Sequence, residues 1–202
     1  SAEAARPPTS AAPTAVGSAA ASSSARAAVN DQFIEDRFDS SDSGWIVRET
    51  ETWRAGYVDG RYQIVLNGQP GVSVSSNLPV QNYRVSLDVA VYEGVAGLVF
   101  LAAEPATFYR LMLTADGKYA IQAQQQGSNA AEYIVDWTES PLLLRDGASN
   151  LVQIERRGSE MRFFVNERPL TTWTIPAGSF SNQYGFALAS RTAVGRATFD
   201  NL

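Results

Sequence analysis

Tyr83-Arg-Val-Ser-Leu-Asp-Val-Ala-Val-Tyr92 places Tyr83, Val85, Leu87, Val89 and Val91 on one side of an extended chain and Arg84, Ser86, Asp88 and Tyr92 on the other. A period of two over ten residues is the signature of a β-strand with one face in a core and the other toward water or a ligand. Outward from it, Phe108–Thr114 and Lys118–Gln126 flank Ala115-Asp116-Gly117, and Asp-Gly tolerates the positive φ of a tight reversal, which predicts a hairpin. On its core side Tyr109, Leu111 and Leu113 would face Tyr119, Ile121 and Ala123; Arg110, Met112, Thr114, Gln122 and Gln124 take the other side. Leu151–Arg157, Glu160–Val165 and Leu170–Ile175 read as a second set of antiparallel strands, with Asn166 in a turn that accepts left-handed geometry.

Further short apolar runs cut by Gly, Asn, Asp and Pro predict strands over 32–38, 45–49, 55–58, 61–66, 71–75, 97–102, 133–137, 184–189 and 197–202. No segment carries a helical period over three turns. The fold class is therefore all-β, a two-sheet antiparallel β-sandwich, and residues 31–202 are long enough to close one core. Residues 1–30 are different. Twelve Ala, six Ser, three Pro and two Thr leave too little apolar surface to offset ordering entropy, so the segment reads as a disordered or extended linker ahead of the sandwich.

Composition removes several chemistries. The 202 residues include no Cys and no His, which excludes thiol chemistry, the usual zinc sites and His-dependent nucleophiles. The formal charge is −5; Glu3, Arg6 and Arg26 give the first 30 residues +1, so the remainder carries −6. An acidic chain without basic clusters is not expected to bind nucleic acid, and no apolar run reaches the roughly 18 residues that membrane insertion needs.

The order of motifs resembles the concanavalin A-like lectin/glucanase jelly roll, in the non-catalytic laminin-G-like branch of bacterial surface proteins. Phe38-Asp-Ser-Ser-Asp-Ser-Gly-Trp45, Tyr62-Gln-Ile64, Gly97-Leu-Val-Phe100 with Phe108-Tyr109, and Asp116-Gly-Lys-Tyr119 carry the likeness. It continues through Asn150-Leu-Val-Gln-Ile154, Phe163-Phe-Val-Asn166, Tyr184-Gly-Phe-Ala-Leu188 and Phe199-Asp-Asn-Leu202. The resemblance implies that the last strand lies near the first, so that the domain ends meet. It also implies a glycan or cell-surface polysaccharide as partner and an extracellular or bacterial cell-surface location, anchored through a segment upstream of Ser1. The glucanases it resembles carry Glu-x-Asp-x-Glu or Glu-x-Asp-x-x-Glu on one strand. This chain has no such pattern, its nearest approach being Glu49-Thr50-Glu51, so enzymatic activity is not expected.

Sugar binding calls for an aromatic face beside groups that satisfy hydroxyls. The alternation assigns Arg84, Asp88, Tyr92, Arg110, Met112, Gln122 and Gln124 to one concave face, with Trp53 and Trp137 as candidate stacking platforms. Asp36, Asp39 and Asp42, spaced by three at the entry turn, are candidates for calcium, although the spacing departs from the EF-hand loop and also suits a plain Asp/Ser turn. Two other functions are compatible with the pattern. One is a structural subunit whose residues 1–30 dock on other proteins; the other is a glycoside hydrolase with Asp88 as its acid.

Overall fold

The computed structural model describes residues 35–202 apart from 79–80, 104–106, 126–127 and 129. The linker expected over residues 1–30 lies outside the described residues. Among the described residues a 3₁₀ turn, Ser41–Ser43, precedes fourteen strands: β1 (Arg48–Glu49), β2 (Trp53–Val58), β3 (Arg61–Asn67), β4 (Gly71–Asn77), β5 (Tyr83–Glu93), β6 (Val95–Ala103), β7 (Thr107–Thr114), β8 (Lys118–Gln125), β9 (Ala131–Glu139), β10 (Asn150–Arg157), β11 (Glu160–Val165), β12 (Arg168–Thr174), β13 (Phe180–Ala189) and β14 (Val194–Asp200). All pairings are antiparallel. They build an eight-stranded sheet, β1-β2-β3-β14-β5-β10-β11-β12, and a six-stranded sheet, β4-β13-β6-β7-β8-β9.

The expected alternation is realised where the strands are long. Val85, Leu87, Val89 and Val91 of β5 are buried against Leu98, Phe100, Leu111, Leu113 and Ile121 of the opposing sheet. Hairpin β7–β8 has the predicted register, Tyr109 opposite Ala123, Leu111 opposite Ile121 and Leu113 opposite Tyr119. Between β11 and β12, Asn166 and Glu167 take φ values of 50° and 66°. Asn166 also donates to the Leu142 carbonyl (2.8 Å) and accepts from the Leu151 amide (3.0 Å), so one turn residue ties down two neighbouring segments.

The entry segment differs from expectation. Residues 35–38 are not a strand, because the Asp36 carboxylate accepts the Phe38 amide (2.8 Å) and Phe38 takes a φ of 54°, which turns the chain. Of the strand expected over 45–49, only β1 forms. The domain ends nevertheless meet: Asp36 and Leu202 exchange both backbone hydrogen bonds, at 2.8 and 2.9 Å.

Two glycines allow strands of the six-stranded sheet to approach closely. A Cβ at Gly97 would fall 1.9 Å from the Leu111 carbonyl oxygen, and one at Gly185 would fall 2.1 Å from that of Val74. Backbone cannot yield by that much without breaking the ladder. Gly97→Ala is therefore expected to cost roughly 2–4 kcal/mol, read as a lowered urea midpoint; an unchanged midpoint would contradict the close approach.

Candidate functional site: the outer face of the six-stranded sheet

The side of the six-stranded sheet that faces away from the main core carries its own small cluster. Val99, Met112 and Ala187 are buried there against Val95, Phe108, Trp137 and Ala189. Pairing register sets a cross-strand row on this face, running Ser75, Gly185, Val99, Arg110, Gln122 and Tyr133. Five of the six strands, β4, β13, β6, β7 and β8, contain neither Asp nor Glu.

Arg110 occupies the middle of that row with only 7% of its surface exposed. Its Nη2 donates to the amide oxygens of Gln122 (3.0 Å) and Gln124 (2.9 Å). Its Nε–H is buried with no acceptor, and no carboxylate among the described residues pairs with it. Burial disfavours the charged form and lowers the guanidinium to about 10. Gln124 is held in turn, its Nε2 donating to the carbonyls of Ser128 and Ala130. Gln122 and Gln124 thus aim the guanidinium; the amide donors of Gln124 are already committed to the carbonyls of Gln125, Ser128 and Ala130.

A cleft of about 930 Å³ opens where edge strands β1 and β4 of the two sheets come together, and it extends to Phe108, Arg110 and Gln124. Ser73 and Ser75 line it from β4, Trp45 and Tyr184 contribute aromatic surface, and Trp53 lines it beneath Arg48, whose guanidinium sits 5.6 Å from the indole ring. Trp45 is oriented by its indole N–H, which donates to Asp36 (2.9 Å), and by Phe186, whose ring centroid lies 4.3 Å away. Among the described residues the only charged side chains lining the cleft are Arg48 and Arg110.

The residues expected on one concave face separate onto the two outer faces of the sandwich. Arg110, Met112, Gln122 and Gln124 lie on the six-stranded sheet; Arg84, Asp88 and Tyr92 lie on β5, on the far side of the core. The latter three have structural partners. Arg84 pairs with Glu155 (3.2 Å), which also holds Arg157 (2.7 Å). Burial works to raise the Glu155 carboxyl, but the hydrogen bonds from Arg157 and Arg84 outweigh it and hold it below the usual range. Asp88 accepts from Asn201 (2.8 Å), and Tyr92 lies under the Arg196 guanidinium at 4.6 Å.

Trp137, on β9, is half-buried against the Val99–Met112 cluster and donates to the Tyr133 hydroxyl (3.2 Å). Trp173 stacks on Tyr109 at 5.2 Å as part of the core margin. At the entry turn, both Asp36 oxygens are taken by Phe38 and Trp45, which makes Asp36 a turn and tryptophan anchor; Asp39 is exposed, and the Asp42 side chain lies outside the description. No group of three carboxylates among the described residues could hold a metal ion. Arg48, Ser73, Ser75, Phe108 and Tyr184 were missed from sequence. The signal that could have found Ser73, Ser75, Phe108 and Tyr184 is that their strands carry no acid; Arg48, beside Glu49, bears no such mark.

No protein-family model matches the chain, and no curated protein matches its sequence. Solved structures match its fold. A sialidase superposes with a TM-score of 0.59 and 13% identity over 83% of this chain and 18% of that one, so the chain spans less than a fifth of the enzyme's length. A carbohydrate-binding module from Bacillus subtilis matches at a TM-score of 0.50 and 16% identity, over 78% of this chain and 92% of the module. The catalytic domain of an endo-1,3-β-glucanase from Thermotoga petrophila matches at 0.53 and 8% identity, over 84% and 94%. The fold is a concanavalin A-like jelly roll, an architecture that carbohydrate-binding modules and glycan-cleaving enzymes share.

A buried charge without a counter-charge destabilises a fold unless something else requires it. Because Arg110→Met alone would leave the buried Gln122 oxygen without its donor, the double variant Arg110→Met/Gln122→Leu is expected to melt no lower than the wild type by differential scanning calorimetry. A fall of several degrees would mean that the guanidinium is there for structure.

Proposed function

We propose that this protein is a non-catalytic carbohydrate-binding module whose saccharide lies in the cleft between β1 and β4 and on the outer face of the six-stranded sheet. The observation that carries the reading is the composition of that surface. Serine hydroxyls, aromatic rings and a held guanidinium line it, while the five strands β4, β13, β6, β7 and β8 hold no carboxylate. Aromatic surface suits the apolar face of a pyranose, and hydroxyl and N–H groups suit its oxygens. Glycoside cleavage on such a surface would need two carboxylates flanking the bond, roughly 5–10 Å apart depending on mechanism. The likeness of fold to a Bacillus subtilis carbohydrate-binding module supports the same reading.

The setting we propose is the outside of a bacterial cell, with residues 1–30 as the tether to a larger surface protein. Among the described residues no helix is long and apolar enough to cross a membrane.

Isothermal titration against neutral and charged oligosaccharides tests the proposal. Ser75→Trp, which places a bulky ring at an exposed position on the cleft, is expected to weaken binding at least about tenfold, equivalent to about 1.4 kcal/mol. Asp88→Asn, on the opposite face, should leave affinity within about twofold. Binding that survives Ser75→Trp and falls with Asp88→Asn would move the site to β5.

A further inference from the structure

We infer that the cleft takes an acidic saccharide and that Arg110 is the residue that reads its charge. The inference rests on the saccharide-binding reading above and narrows it.

Three observations converge. The chain is acidic overall, with 21 Asp and Glu against 16 Lys and Arg, yet the only charged side chains lining the cleft among the described residues are two arginines. Next, seven arginines among the described residues have no ion-pair partner, Arg48, Arg54, Arg110, Arg156, Arg168, Arg191 and Arg196, and of these Arg110 alone is buried, where water cannot stand in for a counter-charge.

The third observation is the setting of Arg110. Gln122 and Gln124 converge on one terminal nitrogen and fix the plane of the guanidinium, and Gln124 is itself anchored to two backbone carbonyls. Fixing the guanidinium without supplying a counter-charge holds its positive charge in place for an anionic oxygen. Amide oxygens are the appropriate partners for this, because they orient the group while leaving its charge uncompensated. Carboxylate orienters would neutralise it and repel an incoming acid. Desolvation strengthens the pairing once the cleft is filled, and the ligand would offset the cost of a buried charge. Arg48, exposed above Trp53 at the other side of the cleft, adds a second positive charge where a longer acidic chain would pass.

The test compares uronate-containing and sialylated oligosaccharides with their neutral counterparts of equal length, by isothermal titration with the full chain. The wild type should prefer the acidic member of at least one pair by about tenfold or more. That preference should shrink as salt is raised from about 0.05 to about 0.5 M, disappear in Arg110→Met, and be partly retained in Arg110→Lys. Equal affinity for acidic and neutral partners overturns the inference while leaving saccharide binding intact. A preference that persists unchanged in Arg110→Met also overturns it. Failure to bind any saccharide overturns both this inference and the reading beneath it. The comparison within the wild type requires no variant to fold.

Discussion

Everything in this sandwich is referred to one aromatic contact set, centred on Phe186. The ring projects from β13 of the six-stranded sheet and meets Phe199 of β14 at 4.8 Å, Tyr62 of β3 at 5.2 Å, Phe38 at 5.8 Å and Trp45 at 4.3 Å. Four of its partners thus come from the facing sheet or the entry segment, and Phe38, Tyr62, Phe186 and Phe199 are essentially inaccessible to solvent. Aromatic pairs of this kind contribute about 0.5–1.5 kcal/mol each beyond the area they bury. Their geometric effect is larger. They set the sheet separation at the end of the sandwich where the chain enters and leaves, and Asp36 and Leu202 close that end with paired backbone bonds.

The cleft inherits its position from that cluster. Trp45 is held between Phe186 on one side and the Asp36 carboxylate on the other, so the segment leading from the entry turn into β1 is fixed as one wall. On the same strand as Phe186, the neighbouring Gly185 and Ala187 belong to the outer face: no Cβ would fit at Gly185, and Ala187 packs with Val99 and Met112. A core residue and an outer-face residue one position apart thus serve the two faces of a single strand, as a period of two requires. Charge is divided in the same manner. Acidic residues go to the eight-stranded sheet, to edge strand β9 and to turns, leaving the other five strands of the six-stranded sheet with Arg110 uncompensated.

What alternation encodes, and what it omits, explains which expectations hold. The register of β7 and β8 was legible because the Asp116-Gly117 turn fixes the offset and the apolar residues on both strands share a parity. The pairing of Asn150–Arg157 with Glu160–Val165 was legible for the same reason. Parity says only whether a side chain points into the core or out of it, not which sheet its strand joins. Arg84 and Arg110 are both outward, and nothing local to β5 or to the β7–β8 hairpin reveals that β5 pairs with β10 and β14 while the hairpin joins β6. Assigning them to one surface was therefore the natural error. Asp36 was invisible for another reason: its role depends on Phe38 and on Trp45, nine residues on, and a carboxylate at such spacing reads equally as a metal ligand.

The central claim is that ligand recognition belongs to the outer face of the six-stranded sheet and not to the face of β5. Backbone amide chemical-shift mapping by ¹H–¹⁵N NMR during titration with an oligosaccharide tests it most directly, because it locates binding without presuming which residue matters. The account predicts shifts concentrated at Ser73, Ser75, Phe108, Arg110, Gln124 and Trp53, with Arg84, Asp88 and Tyr92 unmoved. Shifts clustered on β5 and its neighbours β10 and β14, with the cleft residues silent, would contradict it.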